Sequence, residues 1–426
     1  MTTSRGTLFT NVTIWTADKA AFQGEVAVEG NRISAVEPGA RQLPRDGMDV
    51  IDGGGATLMP GLIDGHGHLP FAETKTTVEF ALIPPEEHTL LTMHNARRVL
   101  DAGFTAVLSG GSVKPRLDAI IRDEINAGRI PGPRMLASTP EFTTTGGLGD
   151  DSRLHISLNT FCLTLDGAEE FRKAARLYIR EGSDVVKVCV SGHMAVPGCR
   201  HAGPEMTPVT DAELAAVTET TRSLGKRCAV HARSDASVRM ALRHGVDIFY
   251  HCEYANDETL DMMEAQKDRI VLAPAFGPYC RTLENAEAAG NRHEYAVLEA
   301  QFAIMCQTGA KLRERGMRVM IGGEYGLFHM PHGTNSRDIE YFVRYLGYSP
   351  AEALKCATVW GAHGMLMEDE LGQIRKGFLA DLLLVDGAPW QDVRVLQSKD
   401  RLLGVMKDGR FHREPVMTAG RVRRAA

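Results

Sequence analysis

The stretch MPGLIDGHGH, residues 59–68, decides the fold prediction. It has the pattern of a short buried strand that closes on His66-Gly67-His68. Residues i and i+2 of a strand face the same side, so both imidazoles point in one direction. Two neutral imidazoles that converge on one point suit a borderline metal such as Zn²⁺. Taken alone, an H-x-H pair is explained equally well by surface or core histidines.

Seven further apolar runs follow the first one and alternate with helix-like segments. The eight runs cover residues 59–66, 105–110, 133–138, 184–190, 227–232, 247–251, 270–275 and 318–323. This alternation predicts an α/β fold, a TIM-like (β/α)8 barrel. The alternative is an open doubly wound sheet, which would need a Gly-rich turn after its first strand, and the sequence has no G-x-G-x-x-G there.

Both ends of the chain show the period-two alternation of strands instead. Residues 7–36 contain such runs around a Gly30-Asn31 turn, and the runs ADLLLVDG and LLGVMKDGRF resume the pattern near the C-terminus. We therefore expect a small β-sandwich domain built from both termini, residues 1–59 and 373–426. The catalytic barrel then occupies residues 60–372.

Composition excludes several classes of protein. The 426 residues are 43% hydrophobic and 24% charged, as in globular proteins, and the net charge of −6 with no basic stripe argues against nucleic acid as a partner. No apolar run approaches the roughly 18 residues that a membrane span needs. The first residues lack the layout of a secretory signal. Eight cysteines without a C-x-x-C pair indicate reduced thiols and a cytoplasmic location.

The ends of the other strands supply further candidate ligands, because the functional groups of a barrel lie at the carboxyl ends of its strands. The fifth run ends near His231 and the sixth at His251. The fourth run holds Lys187 between two valines, where an amine is costly unless it is paired or modified. A neutral amine there can take up CO₂ and become a carbamate that bridges two metals; the alternative is an ion pair inside the barrel. Glu324 follows the eighth run and could ligate a metal or move a proton.

Together these residues resemble the metal-dependent amidohydrolase superfamily. The matching motifs are PGLIDGHGH (60–68), VVKVCVSG (185–192), AVHARSDASVRMALRHGVDIFYHC (229–252), GFLADLLLVDG (377–387) and VMKDGRF (405–411). The segment from His231 to His251 is similar to imidazolonepropionase-like and Xaa-Pro-dipeptidase-like members. Atypical branches such as the phenylurea hydrolases also look related.

The resemblance implies one or two divalent metal ions, with Zn²⁺ as the first expectation. His66 and His68 then hold one ion, His231 and His251 hold the other, and N6-carboxylated Lys187 bridges them. It also implies a homo-oligomer. The sequence departs from the family pattern at Glu324, where an Asp in a G-T-D run is expected. The extra methylene shifts the carboxylate by roughly 1.3–1.5 Å, one bond length, so a mononuclear site with Glu324 as the base stays open.

Four residues beyond the strand ends are expected to bind the substrate: His193, Arg233, Tyr254 and Tyr325. Arg233 is expected to pair either with a substrate carboxylate or with a nearby acidic residue. The Gly- and Thr-rich stretch 139–166 is long enough for a lid over the barrel or for a subunit contact.

The expected reaction is hydrolysis of a C–N bond in a small amide, urea or carbamate by metal-activated hydroxide, with Glu324 and Lys187 as catalytic residues. One alternative is a deaminase of a cyclic amidine, although such relatives usually lack the lysine of the fourth strand. The other alternative is a non-catalytic barrel scaffold.

Overall fold

Strands occupy both ends of the chain and alternate with helices between them. The architecture comes from a computed structural model that describes residues 6–194, 202–418 and 420–423. The strands are β1 (Gly6–Ile14), β2 (Phe22–Glu29), β3 (Arg32–Pro38), β4 (Met48–Asp52), β5 (Thr57–Pro60), β6 (Leu62–Gly67), β7 (Phe104–Ser109), β8 (Arg134–Leu136), β9 (Glu141–Thr143), β10 (Cys162–Thr164), β11 (Val185–Cys189), β12 (Arg227–Ala232), β13 (Ile248–His251), β14 (Val271–Ala273), β15 (Leu382–Val385), β16 (Leu402–Lys407), β17 (Arg410–Arg413), β18 (Met417–Thr418) and β19 (Arg421–Val422).

Helices fill the connections between the central strands. The α-helices are α1 (Val78–Leu82), α2 (Pro85–Asp101), α3 (Leu117–Asn126), α4 (Ala168–Arg180), α5 (Asp211–Ser223), α6 (Asp235–Arg243), α7 (Asp257–Glu264), α8 (Phe276–Ala289), α9 (Ala296–Glu314), α10 (Arg337–Leu346), α11 (Pro350–Cys356) and α12 (Val359–Gly364). Short 3₁₀ turns cover Arg292–Tyr295, Val393–Gln397 and Lys399–Arg401. The α/β class predicted from the sequence is confirmed. None of these helices combines the length and the apolar character that crossing a membrane requires, within the described residues.

One mixed sheet, called here the terminal sheet, joins the two ends of the chain. Its strands follow the order β17-β16-β15-β5-β1-β4-β19-β18, and β2 and β3 extend it from β1. The N-terminal β5 pairs with the C-terminal β15, with Met59 opposite Leu383. Apolar residues from both ends, among them Phe9, Leu58 and Leu382, form one buried cluster. The predicted domain limits at residues 59 and 373 are not tested by these contacts and stay a prediction.

Hydrogen bonds connect β6, β7, β8, β11, β12, β13, β14 and residues 318–321 into a closed set, called here the parallel ring. The ladders β6–β7–β8 and β11–β12–β13–β14 are all parallel. Thr139 N donates to Val185 O at 3.1 Å and links the two ladders. Leu272 N donates to Arg318 O at 3.0 Å and links β14 to residues 318–321. Gly65 N donates to Ile321 O at 2.9 Å and links these residues to β6, which closes the set. The carboxyl ends of these segments therefore meet at one edge.

Alternation along β11 shows how the ring separates core from site. Val186 and Val188 belong to the large apolar cluster beneath the helices, together with Phe142 and Phe171 of neighbouring elements. Since side chains alternate along a strand, Lys187 faces the opposite side, toward the interior of the ring. A lysine in an apolar strand is thereby placed among polar groups instead of among the helices.

Two segments differ from the sequence-based expectation. The run 318–323 forms no continuous strand, and its pairing with β14 is an isolated bridge between Leu272 and Val319. Gly322 N donates to the Asp338 carboxylate and Ile321 N to Cys356 O, so these two N–H groups are not available to a strand ladder. The stretch 139–166 is not loop throughout, because it contains β9 and β10. Phe142 anchors β9 by packing edge-on against Phe171 of α4, with ring centroids 6.2 Å apart.

The contact between the terminal sheet and the ring predicts a large effect of one core leucine. Leu383 of β15 is fully buried in the cluster that the ring helices share. Leu383→Ala is expected to lower the free energy of unfolding by about 2–5 kcal/mol, because the truncation leaves a cavity. Leu90→Ala on α2 is the matched control, since Leu90 is 63% exposed and surface substitutions change stability by only about 0.5 kcal/mol. Urea unfolding of both variants measures the difference, and equal losses would contradict the packing described.

Candidate metal centre

The strand ends bring four buried histidines to one edge of the parallel ring. His66 lies at the end of β6 and His68 just beyond it, while His231 and His251 lie near the ends of β12 and β13. All four are at most 3% exposed. His251 has a φ of 76°, a left-handed conformation that costs about 1–3 kcal/mol in a non-glycine residue and is concentrated at functional sites.

His66, His251 and Glu324 form a compact group, called here the histidine–glutamate cluster. Glu324 Oε1 lies 3.5 Å from His66 Nε2 and 3.7 Å from His251 Nε2. One ligand atom from each residue lies within 4.8 Å of the other two. Glu324 also has a left-handed backbone, with a φ of 54°. The longer side chain that replaces the expected Asp thus reaches both imidazoles.

Lys187 adjoins this cluster. Its Nζ lies 3.2 Å from His66 Nε2 and donates to Gly110 O at 2.8 Å. The amine also lies 3.6 Å from Glu141 Oε2 and 4.2 Å from the centre of the Tyr250 ring. The contact with Glu141 corresponds to the ion-pair alternative that the sequence left open.

Gly110 brings His66 and His68 together. A Cβ atom on Gly110 would lie 2.8 Å from His66 Nε2 and 2.7 Å from His68 Nε2, so only glycine fits between the two rings. His68 Nδ1 lies 3.1 Å from Gly111 O and must donate to it, because a carbonyl only accepts. The other nitrogen, His68 Nε2, is then the unprotonated one that can ligate a metal.

His231 lies apart from the histidine–glutamate cluster in its polar contacts. Its Nε2 is 2.9 Å from Gly192 O and 3.1 Å from Arg233 Nε. Its ring centre is 4.2 Å from that of His251. The carbonyl can only accept and the guanidinium can only donate, so the two contacts require opposite tautomers.

The electrostatics of the site keep the imidazoles neutral. Burial is the largest cause that lowers the pKa of His66, His68 and His251 well below the usual 6.5. The Lys187 cation lowers the pKa of His66 and His68 further. Neutral imidazole is the form that binds metals. Burial also raises the pKa of Glu324, while Arg233 and Lys187 act in the opposite direction.

Unpartnered nitrogen atoms show that a cation fits these residues. Among the described residues, His68 Nε2 and both ring nitrogens of His251 are buried without a hydrogen-bond partner. Each such atom costs about 1–3 kcal/mol in lost hydration. Imidazole nitrogens with a carboxylate oxygen are the donor set of Zn²⁺ and similar divalent ions. A divalent cation would therefore supply the partner that these atoms lack.

A cavity opens onto the cluster through a wall that is largely apolar. The residues that line it are Phe71, Thr77, Glu141, Leu148, Phe161, His193, Met194, His231, Arg233, Pro278, Glu324 and Leu327. His193 Nδ1 donates to Met194 O at 2.7 Å. Arg233 is only 2% exposed, and its Nη1 donates to Glu253 Oε1 at 2.5 Å and to Tyr279 Oη at 3.0 Å. The cavity thus combines an apolar wall with a few charged groups near the histidines.

Two residues predicted to bind substrate do not line this cavity. Tyr325 is 1% exposed and interacts electrostatically with Asp338 and Tyr341. The Tyr254 N–H donates to the backbone oxygen of Arg233 at 3.1 Å, and Tyr254 is not among the lining residues. His193 and Arg233 do line the cavity, and their roles toward a substrate stay predictions.

Sequence reasoning missed Glu141, Tyr250 and Gly110. Glu141 was hidden inside the stretch 139–166, although its position after the third apolar run was a usable signal. Tyr250 directly precedes His251, and its ring stacks on His66 at a centroid distance of 3.6 Å. Gly110 closes the second apolar run, where a glycine at a strand end signals close approach.

Comparison with known proteins identifies the family. The chain matches the model of the amidohydrolase family over residues 57–411. It is 25% identical to the ochratoxinase of Aspergillus niger over 382 residues, which cover 84% of this chain and 76% of that protein. It is 25% identical to the imidazolonepropionase of Symbiobacterium thermophilum over 422 residues, with coverage of 94% and 92%.

A solved structure of a Xaa-Pro dipeptidase with bound methionine is similar along almost its whole length. The TM-score is 0.82 at 26% identity, with 96% of this chain and 100% of that chain covered. The superfamily resemblance drawn from the sequence is thereby confirmed. The chain belongs to the amidohydrolase family and is a hydrolase that acts on C–N bonds.

Proposed function

We propose that the protein is a metal-dependent hydrolase of a small amide, urea or carbamate. The observation that carries the proposal is the histidine–glutamate cluster, where the buried His66 Nε2 and the unpartnered His251 Nε2 both face the Glu324 carboxylate. The apolar wall formed by Phe71, Phe161 and Leu148 favours a substrate with an aryl or alkyl group beside the scissile bond.

We also propose how the strands and helices divide into two domains. We interpret the parallel ring as a (β/α)8 barrel of residues 60–372 and the terminal sheet as a β-sandwich of residues 1–59 and 373–426. The hydrogen bonds that link residues 318–321 to β14 on one side and to β6 on the other support the barrel. The shared apolar cluster of both chain ends supports the sandwich.

Six side chains would hold the metal. His66, His251 and Glu324 would be ligands of a first cation, with His68 Nε2 beside them, a grouping that differs from the His66–His68 and His231–His251 pairs that the resemblance implies. Carboxylated Lys187 and His231 would complete a binuclear site, whereas unmodified Lys187 leaves a mononuclear one. Zn²⁺ suits these donors, and Mn²⁺, Co²⁺ and Fe²⁺ accept them as well. When bound, the metal activates water and polarises the substrate carbonyl.

The chain's own residues supply the proton transfers and the orientation. Glu324 takes the proton of the attacking water at its carboxylate and delivers it to the departing nitrogen. Its Oε1 lies 3.5 Å from His66 Nε2 and 3.7 Å from His251 Nε2, so the carboxylate faces both imidazoles. The buried pair of Arg233 and Glu253 fixes one wall of the cavity, and the apolar side chains exclude bulk water from the reacting bond.

The first alternative, deamination of a cyclic amidine, is less consistent with Lys187. A lysine that lies 3.2 Å from His66 Nε2 belongs to the pattern of relatives that hydrolyse amides. A non-catalytic scaffold would have no reason to keep four buried histidines at the mouth of the ring. We further propose a small-molecule substrate, no nucleic-acid or membrane partner, a homo-oligomeric assembly and a cytoplasmic location.

The proposal predicts that turnover depends on metal and is selective for C–N bonds. Chelator-treated protein and protein reloaded with Zn²⁺, Mn²⁺ or Co²⁺ would be tested on N-acyl amino acids, aryl ureas and carbamates. We expect hydrolysis of at least one class after reloading and its loss after chelation, because the imidazoles cannot activate water without the cation. Full turnover after exhaustive chelation, or no turnover by reloaded protein on any of the three classes, would contradict the proposal.

Glu324→Gln is expected to slow turnover by about 10²–10⁴-fold while much of the metal stays bound, because the amide cannot accept the proton. Catalysis needs the carboxylate, so activity is present above its pKa and is lost as the pH falls through it. Burial raises the pKa of Glu324 and a bound cation would lower it. The variant is expected to lack the acidic limb of kcat/KM that this carboxylate produces. Glu287→Gln is the control, because this side chain is 66% exposed. It should retain both the wild-type turnover rate and the acidic limb of kcat/KM. Normal turnover by Glu324→Gln would exclude Glu324 as the base.

Lys187→Arg tests carboxylation, because a guanidinium does not form the carbamate. Protein equilibrated with ¹³C-labelled bicarbonate is expected to show a carbamate resonance by NMR, and the variant is expected to lose both the resonance and most activity. Lys226→Arg is the control, since Lys226 lies away from the cluster and forms an ion pair with Asp184, with 2.9 Å between Nζ and the carboxylate oxygen. A fully active wild-type protein without the resonance would exclude carboxylated Lys187.

A further inference from the structure

A second group of potential ligands lies beside Lys187 and takes no part in the proposed reaction. It consists of Glu141 on β9, Cys162 on β10 and Cys189 on β11, called here the thiol cluster. These residues are 3%, 4% and 0% exposed, respectively. One ligand atom from each lies within 4.8 Å of the other two. Both cysteines are free thiols.

Strand register builds the thiol cluster. Cys162 lies directly opposite Glu141 in the parallel pairing of β10 with β9. Phe142 lies opposite Val188 in the pairing of β9 with β11. Because side chains alternate along each strand, the neighbours of that pair, Glu141 and Cys189, face the side opposite to Phe142. Three adjacent strands thus present their polar side chains to one point.

Contacts within the thiol cluster bring potential donor atoms close together. Cys189 Sγ donates to Glu141 Oε2 at 2.9 Å. The same carboxylate oxygen lies 3.6 Å from Lys187 Nζ. The thiol proton therefore occupies the space that a cation between sulfur and oxygen would take. The carboxylate lines the cavity above, which gives an ion a path from solvent.

We propose that Glu141, Cys162 and Cys189 form a second cation site, separate from the histidine–glutamate cluster and selective for thiophilic divalent ions such as Zn²⁺, Cd²⁺ and Co²⁺. Two sulfur donors favour these ions over Mg²⁺ and Ca²⁺, which prefer oxygen. Tetrahedral Zn²⁺ with bonds of about 2.3 Å holds two sulfurs roughly 3.8 Å apart, and the sulfurs of Cys162 and Cys189 lie within 4.8 Å of each other.

Binding exchanges protons for the metal without any redox step. The S–H bonds of Cys162 and Cys189 break, two S–metal bonds form, and both protons leave to solvent. The Glu141 carboxylate adds an oxygen ligand as its hydrogen bond from Cys189 is lost. The ion would cross-link β9, β10 and β11, and so hold the two ends of the connecting residues 144–161 against the ring.

Cobalt spectroscopy distinguishes this site from the first one. The full-length protein, reduced and stripped of metal, is titrated with Co²⁺. A thiolate-to-cobalt charge-transfer band in the near ultraviolet is expected, because sulfur ligation produces it and histidine or carboxylate ligation does not. Cys162→Ser and Cys189→Ser should lose most of the band. Cys228→Ser and Cys356→Ser, at buried cysteines outside the cluster, should keep it.

X-ray absorption on the wild-type protein needs no variant and covers the case in which a serine variant fails to fold. The protein loaded with excess Zn²⁺ is expected to show a sulfur shell at about 2.3 Å. The proposal is overturned by saturation with Co²⁺ without the band, by a band that survives in both serine variants, or by a shell of nitrogen and oxygen alone. Each of these results leaves metal-dependent hydrolysis intact, so the two proposals fail separately.

Discussion

Burial of uncharged imidazole rings at the carboxyl ends of parallel strands is the constraint on which the rest of the site depends. An imidazole nitrogen hidden from water and left without a partner destabilises the fold, yet His68 and His251 both carry such nitrogens in the described part of the chain. The cost is tolerated where the atoms converge on a common ligand. The positions of Lys187, Glu324 and Gly110 follow from that convergence.

The second requirement is a close approach of neighbouring backbone to the histidines, and two glycines allow it. At Gly110 a side chain would collide with two imidazoles at less than 3 Å, and at Gly322 it would lie 2.5 Å from the backbone nitrogen of His66. Gly322 N also donates to Asp338, which turns the chain out of the ring just before Glu324. The turn and the left-handed backbone of Glu324 together direct its carboxylate to His66 and His251.

Charge is balanced locally on the floor of the cavity. Arg233 is paired with Glu253, and Lys187 lies between Glu141 and His66. A carbamate on Lys187 would reverse the sign of that group and place it near the Glu141 carboxylate. A cation on either side of Lys187 would offset this repulsion, since opposite charges within a few ångströms interact strongly in a poorly hydrated interior. The chemistry of Lys187 is therefore coupled to both ligand clusters.

Much of this arrangement could be read from the amino-acid order. The H-x-H pair and the two later histidines lie at strand ends, and the lysine between valines lies within a strand. These positions could be predicted because period-two alternation and helix–strand succession are local properties of a chain. The α/β class and the superfamily followed from the same residues. The position of Glu324 was also evident, whereas its reach to both imidazoles depends on a backbone angle that no local pattern specifies.

Only the tertiary structure decided which polar side chains share a face across neighbouring strands. Glu141, Cys162 and Cys189 are distant in the chain, and the register of three short strands brings them together. Tyr325 follows Glu324 directly, yet it is buried away from the cavity because the chain turns there. Composition and spacing determined the kind of fold and the kinds of donor atoms. Long-range backbone pairing determined their distances, because register and packing depend on contacts between segments that are far apart in sequence.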